Sequence, residues 1–474
     1  MGKIMGENFD KLKEKCAVFG VSINNNGTEN NIAAELAYNA LMTMQHRGQE
    51  SAGIAVADGK TIICKKNSGF VTKVFSQGSL HDMRSCVAVG HCQYSGLGAG
   101  EYDVQNDIQP SIIEYLTGRL ATVLNGSITN VRKLKEELMT YGLTFMGTSD
   151  GEVISKLVAY HCMITESVLE GVKCAAKLLE GSFSLLVMTT GKDNNNRLLA
   201  VRDSSGFRPL CIGVNDHGVA VASESCALDI CEFDFLRDVK PGEVLQIEDG
   251  RITYEETVLS AAIENTGLCI FEYVYMARPD SFMDNLSVYE ARVNMGRILA
   301  RENKISADAV CGVPDSGLQA ALGYSLESGI PLVAGMICNR YIGRSFTYPT
   351  QSLRERAVKI KFNPLKLNIE GKRLIMVEDS IARGTSLGTV VSLLKNAGAR
   401  EVHVLVASPP IKFACKFGCI DEEDEGNLIA NNKSIDEIRK VFGADSLHYI
   451  SIAGLKQACG KCALSQCLQC FERP

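Results

Sequence analysis

The chain has 474 residues, 46% hydrophobic and 22% charged, which is too long for one core and suits two globular domains. Its net charge of -6 gives no electrostatic footing for a nucleic-acid partner. No apolar run approaches the ~20 residues that span a bilayer, and Met1-Gly2-Lys3-Ile4-Met5-Gly6 lacks a signal core, so no membrane partner and a cytoplasmic location are expected.

Residues 1–15 are polar and rich in Lys and Glu and read as a leader. From Cys16 a short apolar run, Cys16-Ala-Val-Phe-Gly-Val-Ser-Ile, predicts a buried strand. Ile32, Leu36, Leu41 and Met44 recur with helical spacing. Strands follow at 53–57, 87–91 and 120–124, with helices near 131–141 and 151–160, then a helix and strand pair over 168–190. Asp249-Gly250 marks a hairpin turn. Beyond about residue 265 short strands alternate with helices: strands at 309–313, 332–337, 373–377 and 402–407, and helices from Leu318, at 387–396 and at 435–442. That rhythm predicts an α+β first half and an α/β second half with a parallel sheet, joined within 250–268.

Eighteen cysteines in a long chain without an export signal favour metal, cluster or nucleophile roles over disulfides. Cys64, Cys86, Cys162, Cys174, Cys211, Cys226, Cys231, Cys311 and Cys338 stand alone in apolar stretches and read as small buried hydrophobes. Cys459-Gly-Lys-Cys462 and Cys467-Leu-Gln-Cys470 are denser than packing requires. The sharpest motif is Arg373-Leu-Ile-Met-Val-Glu378-Asp379-Ser-Ile-Ala-Arg383-Gly384-Thr385-Ser386. Here a strand ends in two carboxylates and a Gly/Thr/Ser loop opens a helix. Loop N–H groups at a helix start suit a phosphate, and carboxylates at the strand end suit ribose hydroxyls or hydrated Mg²⁺. A plain strand–turn–helix is the competing reading.

Leu374 to Ser386 resembles the phosphoribosyl pyrophosphate motif of type I phosphoribosyltransferases, with Glu378 where many members carry Asp. Cys269 to Ser281, Val313-Pro-Asp315-Ser316-Gly317, Asn339-Arg340-Tyr341-Ile-Gly-Arg344-Ser-Phe346, Gln45 to Gly53, and Ala200 to Leu210 are similar to the glutamine amidophosphoribosyltransferases of purine biosynthesis. The resemblance implies a leader at 1–15, an Ntn-type glutaminase at 16–257 (a four-layer αββα sandwich), and a type I phosphoribosyltransferase domain at 258–474 with a Cys-rich end. Cys16, exposed by leader removal, would supply a thiol nucleophile and an α-amine base. Asn125 and Gly126 would form the oxyanion hole, and Arg47, Gln93 and Asp150 would line the glutamine pocket. Phosphoribosyl pyrophosphate would meet Arg340, Arg344, Glu378, Asp379, Arg383, Gly384, Thr385 and Ser386, with one Mg²⁺ per subunit at Ser316, Glu378 and Asp379. The iron–sulfur branch of the family implies a [4Fe–4S] cluster on Cys269, Cys415, Cys467 and Cys470. Zn²⁺ is the competing occupant of such a set; Cys459 and Cys462 are spare, and Cys419 adds one more candidate.

The partners implied are glutamine, phosphoribosyl pyrophosphate and purine-nucleotide inhibitors, on a homotetramer. The segment Gly90-His91-Cys92-Gln93 departs from the pattern, which has arginine at the place of Gln93. Losing a charge-assisted contact of ~2–3 kcal/mol would weaken glutamine binding roughly 30- to 150-fold. Two alternatives therefore stand: a paralogue fed by free ammonia or another amide donor, and a non-catalytic sensor of phosphoribosyl pyrophosphate or nucleotides.

Overall fold

The structure is a computed structural model that describes residues 16–24, 32–76, 78–94, 107–116, 118–147, 149–190, 195–260, 267–339, 341, 356, 358–384, 386–420, 422–460, 462 and 465–473. Among these, no helix is long and apolar enough to cross a membrane. The first half holds two antiparallel sheets. One runs in the order β11 (Asp234–Asp238), β9 (Cys211–Asn215), β10 (Gly218–Ala222), β1 (Ala17–Ile23), β4 (Val87–Gln93), β2 (Ser51–Asp58), β3 (Thr61–Ser68). The other runs β13 (Arg251–Thr257), β12 (Glu243–Glu248), β8 (Asn196–Arg202), β7 (Gly181–Thr190), β6 (Gly118–Ile128), β5 (Ser111–Tyr115).

Strand alternation sends Val18 to one face of β1 and Phe19 to the other. Val18, Ala55 and Val89 meet Val123, Leu186 and Leu198 between the sheets. Phe19 and Ile54 pack under Ala37 and Leu41 of the helix Ala33–Thr43. Leu124 and Phe183 pack under Leu134, Ile154 and Val172 of the helices Val131–Thr140, Asp150–Thr165 and Val168–Leu178. Helix, sheet, sheet, helix is the expected αββα sandwich. Because β1 is buried on both faces, it reads in sequence as a continuous apolar run. Asp249 and Gly250, with φ of 45° and 68°, make the hairpin between β12 and β13.

The second half carries a parallel sheet in the order β14 (Ala309–Gly312), β15 (Arg373–Glu378), β16 (Glu401–Val406), β17 (Ser446–Tyr449). Helices Leu318–Ser328, Leu387–Asn396 and Ile435–Phe442 follow its strands, the last opened by a Ser434/Glu437 capping box. The strand expected at 332–337 is not one element. Leu332 bridges Val310, and Met336–Cys338 pairs instead with Phe362–Pro364. Gly335 sits so close to Cys311 that a Cβ would lie 2.8 Å from its sulfur. The halves meet where the Phe207 ring lies 4.4 Å from that of Phe417, and within the second half Leu268–Cys269 pairs in parallel with Gln466–Cys467. Of the nine isolated cysteines, Cys162, Cys211, Cys226, Cys231 and Cys311 are buried, while Cys64, Cys86, Cys174 and Cys338 are half-buried.

Candidate active site

Cys16 heads β1, buried, with its thiol donating to the Tyr94 carbonyl at 3.7 Å. β1 pairs with β4 (Ala17 with Cys92, Val18 with His91), which brings His91, Cys92 and Gln93 alongside. His91 is wholly buried, its Nε2 stands 3.0 Å from the Leu124 carbonyl, and burial lowers its pKa to about 4. The ring is therefore neutral, with Nε2 donating, and it ties β4 to the residue before Asn125. Asn125 is fully buried on β6 with both amide atoms unpartnered. An amide buried this way costs roughly 1–3 kcal/mol, a cost a ligand carbonyl would relieve. Next to it, Gly126 has a φ of 156°, and a Cβ there would sit 2.0 Å from the Ser182 carbonyl oxygen, so only glycine fits.

The other residues expected in the glutamine pocket are placed as follows. Gln93 is buried, and its Oε1 accepts from the Ser51 hydroxyl at 3.0 Å. Asp150 opens the helix Asp150–Thr165 and is half-exposed. Arg47, 2% exposed, is engaged by protein carboxylates: Nη1 reaches Glu224 at 2.7 Å and Glu272 at 2.9 Å, and Nη2 reaches Glu272 at 2.9 Å. Its Nε donates to the Cys16 carbonyl at 3.2 Å. Burial opposes its charge, and the two carboxylates more than restore it, holding its pKa above the ordinary value.

In the second half, β14 and β15 end side by side. The Val313 N–H donates to the Val377 carbonyl at 2.9 Å, and a Cβ on Gly317 would meet that same oxygen at 2.4 Å. This close approach brings Ser316 to Asp379: the Ser316 hydroxyl donates to Oδ2, and the Ser380 hydroxyl donates to Oδ1 at 2.6 Å. Glu378, Asp379 and Ser380 are all buried, and their hard oxygens suit Mg²⁺. Gly384, at φ 72°, lies against the Phe442 ring and turns the loop into the helix Leu387–Asn396, with Ser386 as its N-cap. Arg383 is half-buried on that loop. Arg340, Arg344 and Thr385 lie outside the described residues, as does the leader 1–15.

The cysteines expected to bind a cluster come together, with one addition. The Cys419 thiol bonds to both Cys269 and Cys415 and heads the causes, before burial, that push those two thiols up. Cys470 is pushed up by burial, then by Cys467 and Cys419. Cys419 is the further candidate that the sequence offered. Cys459 and Cys462 pack instead by Tyr273, whose hydroxyl is 2.8 Å from the Cys462 sulfur. Among the described residues no group of three or more His, Cys, Asp or Glu is closed around a point where one metal ion would sit. A cubane spreads its thiolates wider than one ion with Zn–S bonds of about 2.3 Å does. Arg208 supplies the sharper test of fit. It is wholly buried, with Nε and Nη1 unpartnered and Nη2 3.3 Å from both the Phe417 carbonyl and the Cys419 sulfur. Burial works against its charge, while Cys419, Cys269, Glu272 and Cys415 work for it. A buried cation without a paired carboxylate calls for an anion, and an anionic thiolate cluster fits that need.

Glu224, Glu272 and Arg208 were invisible as site residues in the sequence. Each makes a bond to a site residue more than 170 positions away, which no local spacing marks.

Residues 99–229 match the family model of a glutamine amidotransferase domain, and residues 292–409 that of a phosphoribosyl transferase domain. The chain is 40% identical over 467 residues to an amidophosphoribosyltransferase of Methanocaldococcus jannaschii, covering 96% of each. It is 39% identical over 465 residues to that of Bacillus subtilis, covering 97% of this chain and 94% of the relative. Its fold matches the solved B. subtilis glutamine phosphoribosylpyrophosphate amidotransferase complexed with ADP and GMP, with a TM-score of 0.84, 38% identity and 96% coverage of both. With both catalytic halves and nearly the full length matched, this chain belongs to the amidophosphoribosyltransferase family.

Proposed function

We propose that this chain moves the amide nitrogen of glutamine onto phosphoribosyl pyrophosphate, giving 5-phosphoribosylamine, glutamate and pyrophosphate, the first committed step of purine synthesis. The leader 1–15 is removed, residues 16–257 form the glutaminase and residues 258–474 the phosphoribosyltransferase. The freed α-amine of Cys16 takes the thiol proton as sulfur attacks the glutamine carboxamide. The oxyanion is met by the Asn125 amide and the Gly126 N–H. The amine returns its proton to the departing ammonia, and water then clears the thioester. Asp150 holds the glutamine α-amino group, and Gln93 stands by its carboxylate. The observation that carries this reading is Asn125, buried with an unused amide beside the strand that Cys16 heads.

Ammonia passes through the interior to C1 of the ribose. Arg383, Gly384, Thr385 and Ser386 hold the 5′-phosphate, and Arg340 and Arg344 the pyrophosphate. Glu378, Asp379 and Ser316 would hold Mg²⁺, which would supply positive charge against the leaving pyrophosphate. Cys269, Cys415, Cys467 and Cys470 would hold a [4Fe–4S] cluster, which would tie the segment at Cys269 to Cys467 and Cys470 near the end of the second half. We further propose a cytoplasmic homotetramer; inhibition by purine nucleotides is proposed because the solved B. subtilis relative is complexed with ADP and GMP.

The test is pyrophosphate release with Mg²⁺, comparing glutamine with ammonium at matched pH on anaerobically purified protein. Turnover with low-millimolar glutamine is expected. Turnover with ammonium alone would favour the ammonia-fed paralogue, the reading that Gln93 supports, and would sink the glutaminase assignment.

A further inference from the structure

Arg47 lies at the end of the Gln45–Arg47 turn, buried, and its guanidinium is gripped from both halves of the chain. Glu224, on the first half, takes Nη1 at 2.7 Å. Glu272, on the helical turn Glu272–Met276 that opens the second half, takes Nη1 and Nη2 at 2.9 Å each. Such a fork fixes the plane of the guanidinium as well as its position. The remaining edge, Nε, donates to the main-chain carbonyl of Cys16. The same junction is tied at Glu224, which accepts from the Arg278 N–H at 2.9 Å and the Ser281 hydroxyl at 2.7 Å, both in the segment after Glu272. His46 Nε2 adds a bond to Glu224 at 2.8 Å.

We propose that Glu272, a residue of the phosphoribosyl half, is a positioning residue for the glutaminase nucleophile and acts through Arg47 on the main chain of Cys16. The proposal rests on Cys16 being the nucleophile and goes beyond that reading: the glutaminase centre is incomplete without a carboxylate from the other half. Arg47 is then a strut and not a contact to the glutamine carboxylate, since its Nη1 and Nη2 are occupied by protein carboxylates. A nucleophile displaced by about 1 Å loses up to roughly 100-fold in rate, so loosening the fork acts on the glutamine reaction, whereas ammonium bypasses it.

The experiment is Glu272→Gln in the full chain, measured beside wild type with glutamine and, separately, with ammonium at saturating phosphoribosyl pyrophosphate. The expected result is a fall in glutamine-dependent kcat of about 10- to 100-fold, with the glutamine KM within about threefold and ammonium-dependent kcat within about twofold. Equal loss with both nitrogen donors, or loss with neither, would overturn the proposal, as would a rise in KM with kcat unchanged. Should this variant not fold, Glu272→Asp keeps the charge and withdraws it by one methylene. The same split is then expected at about three- to tenfold, and its absence overturns the proposal. Failure of the underlying reading shows elsewhere: wild type would not use glutamine at all, and this inference would fall with it.

Discussion

Replacing Asn125 by leucine should move stability and activity in opposite directions. The side chain is wholly buried and neither amide atom has a partner, so the resting fold carries an uncompensated polar group worth roughly 1–3 kcal/mol. Leucine has nearly the same shape and no polar atoms, and its neighbours on β6 are Val123 and Leu124. Asn125→Leu is therefore expected to leave stability unchanged or raise it by up to about 2 kcal/mol. At about 2–4 °C per kcal/mol for a domain of this size, the melting temperature rises by no more than about 4–8 °C. Removing an oxyanion donor costs about 2.7–4 kcal/mol of transition-state stabilisation, about 100- to 1,000-fold in kcat. Ammonium-dependent turnover should not change. Calorimetry with the two-donor pyrophosphate assay reads all three quantities. A melting temperature several degrees lower, with glutamine turnover within threefold of wild type, would refute the reasoning and make the amide structural.

Three further outcomes follow from the same geometry. Asp379→Asn keeps an oxygen for one of the hydroxyls of Ser316 and Ser380, turns an amide N–H toward the other, which then accepts, and removes the charge. The fold should survive, while turnover with glutamine and with ammonium falls together, and equal activity would take Asp379 out of the site. Arg208→Met should weaken iron retention roughly 10- to 100-fold and Arg208→Lys should largely preserve it, read as iron and acid-labile sulfide per chain under anaerobic conditions. Equal iron in both variants would contradict the need for a counter-cation. His91 is held neutral with a folded pKa of about 4 against an unfolded 6.5. The unfolded chain binds its proton first as pH falls, so His91 withdraws stability between about pH 6.5 and 4, by about 3 kcal/mol in all. Melting temperatures across that range should fall more steeply for wild type than for His91→Gln.

Much of this architecture was legible in the sequence because its signals are local. The strand entering Glu378-Asp379, the loop to Ser386 and the helix from Leu387 lie in one stretch, and the close pairing of β14 and β15 brings Ser316, also expected from the sequence, to Asp379. Likewise β1 announced itself by its apolar run, since both its faces are buried. The segment 332–337 misled because its apolar composition suits a strand while Gly335 has no room for a side chain against Cys311. Arg47 was legible as a site residue but not in its surroundings. Its partners Glu224 and Glu272 lie 177 and 225 residues away, and nothing in a linear pattern tells a guanidinium held by carboxylates from one open to a substrate. Arg208 escaped for the same reason, being joined to Cys419 across 211 residues.

The central claim is that two sites work as one, with nitrogen passing between them inside the protein. The most direct measurement supplies amide-¹⁵N glutamine and phosphoribosyl pyrophosphate in a bath of unlabelled ammonium and reads the isotope in the amine product by mass spectrometry. Label far above the bulk ammonium ratio is predicted, and Cys16→Ala should abolish the label while leaving unlabelled product. Label diluted to the bulk ratio in the wild-type product would contradict the account.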